Sequence, residues 1–251
     1  MSRGDGRYES TIHAQGAWNE HEQHMAPVAG LLTHVLEGFE ARPELRLARI
    51  SFEILGLIPD GEFEVAATML RPGRTIELVQ AEVIAQGRAA VRATAWRLLT
   101  ADTSDLAVLN DDRMPGPEQS EPVDLRMWPG GFIASVQARR AAGHAPGRGR
   151  AWLRTAHPLV DEPHSRAAAL IGLIDTANGI APVAPMAEVG YPNVDLQVHL
   201  HRLPAGDWLG LQNSVTFGSD GVGLTSAVLH DEAGPFGRSE QILTVRRLGE
   251  G

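Results

Sequence analysis

The stretch that decides the fold reads AAALIGLIDTANGI and spans residues 167–180. Apolar side chains surround it on nearly every side, which is typical of a helix buried inside a protein. A second segment of the same kind, VAGLLTHVLEGF, spans residues 28–39, and four strand-like runs follow each of the two. The turn glycine Gly206 follows Gly61 at an offset of 145 (206−61), and further turn residues repeat at that same offset. A constant offset indicates a duplicated unit within one chain.

The runs after each apolar segment are separated by Pro and Gly turns, which is the pattern of antiparallel hairpins. We therefore predict an α+β fold in which two long central helices, over 28–39 and 167–180, are wrapped by strands that join into one continuous antiparallel β-sheet. The regular pattern is lost between the two copies, where Asp, Pro, Ser and Glu predominate. The chain is thus divided into an N-terminal repeat over 1–101, a linker over 102–129 and a C-terminal repeat over 130–251.

Composition excludes several classes of function. A net charge of −9 argues against a general nucleic-acid-binding or acidic-membrane surface, because such partners select basic patches. No apolar run reaches the roughly 18 residues of a membrane-spanning helix, and the N-terminal segment lacks the apolar core of a signal peptide. The absence of cysteine excludes disulfides and thiolate chemistry. We expect a cytoplasmic protein that binds neither nucleic acid nor membrane.

Asp175 is the sharpest chemical signal in the sequence. It follows eight residues without a polar side chain (167–174) on a helix that is expected to be buried. A buried carboxylate is costly unless it is hydrogen-bonded or used, and burial raises its pKa toward the range of a general base. The alternative is that Asp175 emerges at the end of the helix and bonds only backbone or solvent.

Other polar residues give weaker signals. Asn193 and Gln241 belong to strands that flank the second helix, and amides can orient a water or a carbonyl, although most polar strand residues face solvent. His21 and His24 are spaced unlike a His-Glu-x-x-His zinc motif, so we predict no metal. Cysteine and a Gly-x-Ser-x-Gly motif are both absent, which favours water as the attacking nucleophile.

Several motifs together resemble the bacterial double hot-dog acyl-CoA thioesterases of the thioesterase II class. They are WN at 18–19, QH at 23–24, RPGR at 71–74, IDTANG at 174–179, NVDL at 193–196, VHLHR at 198–202 and GRSEQ at 237–241. The resemblance implies a single-chain pair of hot-dog folds that hydrolyses fatty acyl-CoA to free acid and coenzyme A, without a cofactor. It also implies a catalytic set of Asp175, Asn193 and Gln241, with Asp175 as general base and Gln241 helping to hold the attacking water.

The resemblance further places substrate binding at the start of the first helix, at His24, Met25 and Ala26. Backbone N–H groups there are expected to polarise the thioester carbonyl. Two positions depart from the usual pattern of the family. Asn193 stands where a threonine is usual, and Met25-Ala26 stands where a pair of glycines is frequent, which narrows the expected path of the acyl chain.

Two other functions are compatible with the same fold. One is hydration of enoyl-CoA, for which the segment PLVDEPH over 158–164 is a poor match to the expected motif. The other is non-catalytic binding of acyl-CoA, if Met25 and Ala26 block the site.

The strand over 193–202 also predicts an assembly. Its alternation places His199 and His201 on the face of the sheet that points away from the helix, near Trp208. Aromatic residues are enriched where protein surfaces meet. We therefore expect a homodimer or larger homo-oligomer formed through these outer faces.

Overall fold

The computed structural model describes residues 2–4 and 6–249. Its α-helices are α1 (Met25–Gly38), α2 (Gly131–Ser135), α3 (Arg166–Ile171) and α4 (Ala177–Ile180), and 3-10 turns cover Ile12–Ala14, Ser104–Leu106, Pro117–Gln119 and Ile174–Thr176. Its strands are β1 (Ser2–Gly4), β2 (Arg7–Glu9), β3 (Leu45–Ile54), β4 (Glu62–Arg71), β5 (Ile76–Ala85), β6 (Arg88–Leu99), β7 (Glu121–Val123), β8 (Val136–Arg140), β9 (Arg148–Thr155), β10 (Val189–Gly190), β11 (Asp195–Leu200), β12 (Leu209–Phe217), β13 (Val222–Asp231), β14 (Gly234–Thr244) and β15 (Arg246–Arg247).

Thirteen strands form one continuous antiparallel sheet in the order β1-β2-β4-β5-β6-β3-β11-β14-β13-β12-β9-β8-β7, and β10 pairs with β15 separately. The two halves meet where β3 pairs with β11, with Phe52 opposite Leu196. Both side chains are fully buried and face the helices. The prediction of one continuous antiparallel sheet is confirmed. None of the helices within the described residues is long and apolar enough to cross a membrane.

The duplication extends to the register of the strands. Val83 lies opposite Val91 in the hairpin of β5 and β6, and Leu229 lies opposite Gly237 in the hairpin of β13 and β14, at an offset of 146 (229−83 and 237−91). Each hairpin has an irregularity directly beyond this pair, toward its turn. A bulge at Leu70 in β4 has no counterpart in β12, and it lowers the offset to 145 at the turn that follows, where Gly218 corresponds to Gly73 (218−73).

The second central helix differs from the prediction. Instead of one long helix over 167–180, the chain forms α3, a 3-10 turn and α4 in succession. The α-helical bonding ends at Gly172, whose N–H donates to Ala168, and the next N–H, of Leu173, donates to Leu170 in the tighter 3-10 manner. Glycine is about 1 kcal/mol less favourable than alanine inside a helix, so the break falls at its weakest position. The prediction of two long central helices is therefore wrong for the second copy.

Two further segments depart from their local sequence pattern. The segment 132–139 has the pattern of a strand, yet it begins within the helix α2 and becomes strand β8 only at Val136. Asn178 and Gly179 are typical of the C-terminal cap of a helix, yet they lie inside α4. In both places, packing of Phe132 and Ala177 into the core outweighs the local pattern.

The outer face of the C-terminal half is covered by the chain itself. Met114, from the segment predicted as a linker, packs with Trp152 and Trp208. Trp208 is only 8% exposed, and the guanidinium of Arg154 lies 4.4 Å from its ring centroid. His199 and His201 are exposed, but the expectation of an exposed aromatic beside them is wrong. Assembly through this face stays a prediction.

The two central helices approach each other closely at Gly30. A Cβ atom at Gly30 would lie 2.9 Å from both the Ala168 carbonyl oxygen and the Gly172 Cα atom. Both neighbours are backbone atoms of the opposing segment, so neither can rotate away. Close backbone approach therefore sets how α1 meets α3.

We predict that Gly30→Ala lowers the free energy of unfolding by about 1–3 kcal/mol, because the added methyl group forces the two segments apart. Gly38→Ala is the matched control in the same helix, since a Cβ there meets no atom within 4 Å. Urea denaturation measures both variants. Equal stability of the two would contradict the close approach.

Candidate active site

Three polar side chains from separate elements meet behind the break in the second helix. Asp175 lies on the 3-10 turn, Asn193 lies two residues before β11, and Gln241 lies within β14. The Asp175 Oδ1 atom accepts hydrogen bonds from Asn193 Nδ2 at 2.7 Å and from Gln241 Nε2 at 2.9 Å. The residues that the resemblance placed in one catalytic set are therefore in direct contact.

Both amides are held rigidly. Asn193 Nδ2 also donates to the Asp195 carbonyl at 2.9 Å, and Asn193 pairs with Leu243 in a β-bridge. Gln241 is 1% exposed, and within the described residues no hydrogen-bond partner meets its Oε1 atom. Gln241 thus has its donor committed to Asp175 and one buried acceptor available.

The carboxyl group of Asp175 is desolvated. The residue is 5% exposed, and burial raises its pKa to about 7, although the two amide donors favour the charged form and oppose this rise. The alternative in which Asp175 emerges into solvent is therefore wrong. Because both amides donate to Oδ1, the second oxygen, Oδ2, is left for other chemistry.

His24 caps the N-terminus of α1 beside that second oxygen. Its Nδ1 atom accepts from the Ala26 N–H at 3.0 Å, which assigns the ring proton of the neutral form to Nε2. Burial lowers the pKa of His24 to about 4, so the imidazole is neutral at pH 7. The 3.6 Å approach of Nδ1 to Asp175 Oδ2 is therefore not an ion pair. His24 therefore caps the start of α1 and does not offset the negative charge on Asp175 Oδ2.

A cavity of about 50 Å³ adjoins Asp175. A water molecule occupies about 30 Å³ in the liquid, so the cavity has room for a water beside the carboxylate. The residues that line it are Ala17, Trp18, His24, Leu125, Trp128, Ile133, Asp175, Thr176, Asn178, Gly179, Ile180 and Asn193.

Sequence reasoning missed the aromatic wall of this cavity. Trp128 comes from the segment predicted as a linker, and its Nε1 atom donates to the Gly179 carbonyl at 3.0 Å. Its ring meets Trp18 edge-on at 5.5 Å and Tyr191 at 6.1 Å. The segment around Trp128 has no periodicity, so the pattern that identifies strands and helices gives no signal there.

Met25 and Ala26 occupy the first turn of α1 and are both buried. Of the three residues predicted to bind substrate, only His24 lines the cavity beside Asp175. The first N–H groups of a helix lack partners within the helix, and His24 satisfies that of Ala26. Pro27 has no N–H, so Met25 supplies the one backbone donor that remains among the first three residues of α1.

Among the residues that the structure describes, the N-terminal half has no matching set of side chains. Gly30 and Gly172 face each other across the helices at an offset of 142 (172−30), which makes Thr33 the counterpart of Asp175 (175−142). Thr33 is fully buried, and its hydroxyl donates to the Ala29 carbonyl of its own helix at 2.7 Å. The counterpart of Gln241 at the strand offset is Ala95 (241−146). Only the C-terminal copy carries the carboxylate and its amides.

Models of two protein families match consecutive parts of the chain. The acyl-CoA thioesterase N-terminal domain matches residues 14–98, and the acyl-CoA thioesterase C-terminal domain matches residues 100–245. The chain belongs to the acyl-CoA thioesterase family. It is therefore a thioester hydrolase, and His24 comes from one domain of it while Asp175, Asn193 and Gln241 come from the other. A comparison with curated protein sequences finds no match.

Solved structures of several bacterial proteins share the fold. A hot-dog protein of unknown function from Alicyclobacillus acidocaldarius has a TM-score of 0.76 at 15% identity, over 98% of this chain and 95% of that one. A candidate thioesterase from Novosphingobium aromaticivorans has a TM-score of 0.76 at 17% identity, over 97% and 96%. The acyl-CoA thioesterase II TesB2 of Mycobacterium marinum has a TM-score of 0.69 at 17% identity, over 89% of each chain. At these identities the likeness establishes the hot-dog fold.

The described residues offer no group of three or more His, Asp or Glu side chains that could hold a metal ion. The polar groups that surround Asp175 are two amides and a neutral imidazole. Such a set suits hydrogen bonding to a carboxylate, and it lacks the several anionic or imidazole ligands that a metal site requires.

We predict that Asp175→Asn stabilises this thioesterase in a pH-dependent way. The folded carboxyl has a pKa of about 7, whereas an unfolded Asp has a pKa near 3.9. The cost of burying the charge is thus absent below about pH 4, grows as pH rises to about 7 and is constant above that. The difference in Tm between the variant and the parent protein should follow this curve, reaching a few kcal/mol in free energy. Asp220 is exposed, so Asp220→Asn is the control variant. Its difference in Tm from the parent protein should not vary with pH.

Proposed function

We propose that the protein hydrolyses acyl-CoA to free acid and coenzyme A by direct attack of water, with Asp175 as general base. The observation that carries the proposal is that the two oxygens of the Asp175 carboxylate have different surroundings. Its Oδ1 atom is held by two amide donors, while Oδ2 has no donor within hydrogen-bond distance among the described residues. A carboxylate with a pKa near 7 is also well matched to proton transfer at neutral pH.

In the proposed reaction Asp175 Oδ2 takes a proton from the water, and the water oxygen forms a bond to the thioester carbonyl carbon. The carbonyl oxygen becomes an oxyanion, which the backbone N–H of Met25, the donor left at the start of α1, stabilises. The carbon–sulfur bond then breaks. The departing thiolate of coenzyme A receives the proton from Asp175, and the base is restored.

Gln241 has a second role in this proposal. Its buried Oε1 atom has no partner among the described residues, and we propose it as the acceptor for the other hydrogen of the attacking water. Gln241 does not line the cavity, so this contact requires the water to move inward from that cavity. Asn193 replaces the usual hydroxyl of the family with another donor, and its contact of 2.7 Å to Asp175 preserves the hydrogen bond that the substitution could have removed. We therefore propose that Asn193 is compatible with catalysis.

The alternatives receive less support. Asp161 and His164, from the segment that resembles a hydratase motif, do not line the cavity that contains Asp175. A purely acyl-CoA-binding protein would have no need of a buried carboxylate beside a water-sized space, because that carboxylate costs stability. Both observations favour hydrolysis.

We predict that Asp175→Asn lowers kcat by on the order of a hundredfold or more, because an amide cannot accept the proton. In the parent enzyme, kcat/KM should fall tenfold per pH unit below pH 7 and level off above it, since the reactive form is the carboxylate and its pKa is about 7. Asn193→Ala removes a donor to the charged form and should move this profile to higher pH. Asp220→Asn, in an exposed turn, serves as the control. Full turnover by Asp175→Asn would assign the base elsewhere.

We also predict that the double substitution Met25→Gly with Ala26→Gly raises turnover of substrates that carry bulkier acyl groups. The cavity of about 50 Å³ is too small for a long acyl chain as it stands, and both side chains are buried at the start of α1. Turnover of a series of acyl-CoA substrates of increasing length measures the effect. An unchanged substrate profile would place the acyl path away from these residues.

A further inference from the structure

A large cleft outside the catalytic cavity is lined by basic side chains. Its volume is about 510 Å³, within the range of small-molecule sites. Five of its lining residues carry basic groups, namely His13, Arg154, His157, His164 and Arg166. Among the described residues, Asp207 is the one carboxylate in its lining. Such a cluster stands out in a chain of net charge −9 and suits an anionic ligand.

The basic groups are fixed by contacts at the walls. Arg154 Nε donates to Gln137 Oε1 at 2.8 Å, and the guanidinium stacks on the ring of Trp208. Arg166 begins α3 and forms an ion pair with Asp207. The rings of His13 and His157 stack with their centroids 3.6 Å apart. Two planar guanidinium groups held in place can bind phosphate oxygens in pairs.

The cleft adjoins the reaction centre across α2. Phe132 lines the cleft, its neighbour Ile133 lines the catalytic cavity, and the Phe132 ring lies 4.5 Å from that of His24. On the second helix, Leu173 lines the cleft two positions before Asp175. The buried side chains of Phe132 and Ile133 separate the two spaces, so a ligand whose reactive group lies at Asp175 must pass around α2 to reach the cleft.

We propose that this cleft binds the phosphate-bearing nucleotide end of coenzyme A, with Arg154 and Arg166 as the main phosphate ligands. The inference rests on the proposed function, because it assumes that the thioester lies at Asp175. The volume of the cleft matches that of a small-molecule site, which favours a nucleotide over the surface of an acidic carrier protein.

A second space beside α2 is less suitable. It has a volume of about 330 Å³ and is lined by Arg126 and Arg139. Arg126 is already paired with Asp124, and Arg139 donates to the carbonyls of Pro117 and Ser120. Counted over the described residues, this space has two basic residues and the carboxylate of Asp124, against five basic residues and one carboxylate in the cleft, so it is the weaker site and provides a matched control.

The test compares two substrates with the same acyl group, one on coenzyme A and one on N-acetylcysteamine, which has no phosphate. Arg154→Gln and Arg166→Gln should each raise KM for the acyl-CoA about tenfold, the loss of one charge-assisted contact, with kcat unchanged. Neither should alter hydrolysis of the N-acetylcysteamine thioester. Asp207→Asn should lower KM for the acyl-CoA, because Arg166 loses its competitor. Arg126→Gln, on the other side of α2, should have no effect.

Calorimetry of the parent protein gives a test that needs no variant. Free coenzyme A should bind at least tenfold more tightly than pantetheine, which lacks the phosphates. Equal affinity would overturn the inference, as would a rise in KM for Arg126→Gln equal to that of Arg166→Gln. Impaired turnover of an acyl carrier protein alone would assign the cleft to that partner. If the parent enzyme hydrolysed neither thioester yet bound coenzyme A through Arg154 and Arg166, the proposed function would fail and the cleft would stand.

Discussion

The site depends on the carboxylate of Asp175, which is buried away from water and hydrogen-bonded through only one of its two oxygens. Asn193 and Gln241 both donate to Asp175 Oδ1, and the neutral ring of His24 lies beside Oδ2. Two hydrogen bonds from side-chain amides fix the orientation of the carboxylate without neutralising it, and burial keeps its pKa high enough for it to act as a base. A protonated His24, or an arginine in its place, would compensate the charge and remove the base.

The duplicated fold explains why the residues of this site come from both halves of the chain. The pairing of β3 with β11 and the contact of Gly30 with Gly172 bring the start of α1 beside the break in the second helix. A single copy would have either the helix start with His24 or the carboxylate with its amides. In the first copy the position equivalent to Asp175 holds Thr33, which bonds only its own helix. The N-terminal half thus completes a site whose reactive group belongs to the C-terminal half.

Much of the fold could be predicted from the sequence because duplication and alternation are local signals. The antiparallel sheet follows from the Pro and Gly turns between the strand-like runs, and Asp175 could be identified as a buried carboxylate from its apolar neighbours alone. The break at Gly172 could not be predicted, because a close contact with another helix is not encoded in the hydrophobic pattern. The contribution of Trp128 was missed for a similar reason, since a residue in an aperiodic segment is brought to the site only by tertiary packing. The meeting of Asn193 and Gln241 was expected from family resemblance, not from the residues themselves.

The central claim is that Asp175 is a desolvated base, and its pKa can be measured directly. NMR titration of the protein with ¹³C-labelled aspartate carboxyl groups resolves each titration, and the signal lost in Asp175→Asn identifies the residue. We predict a titration midpoint near pH 7 for Asp175, as its burial requires. A midpoint near 4, the ordinary value for an exposed aspartate, would contradict the account.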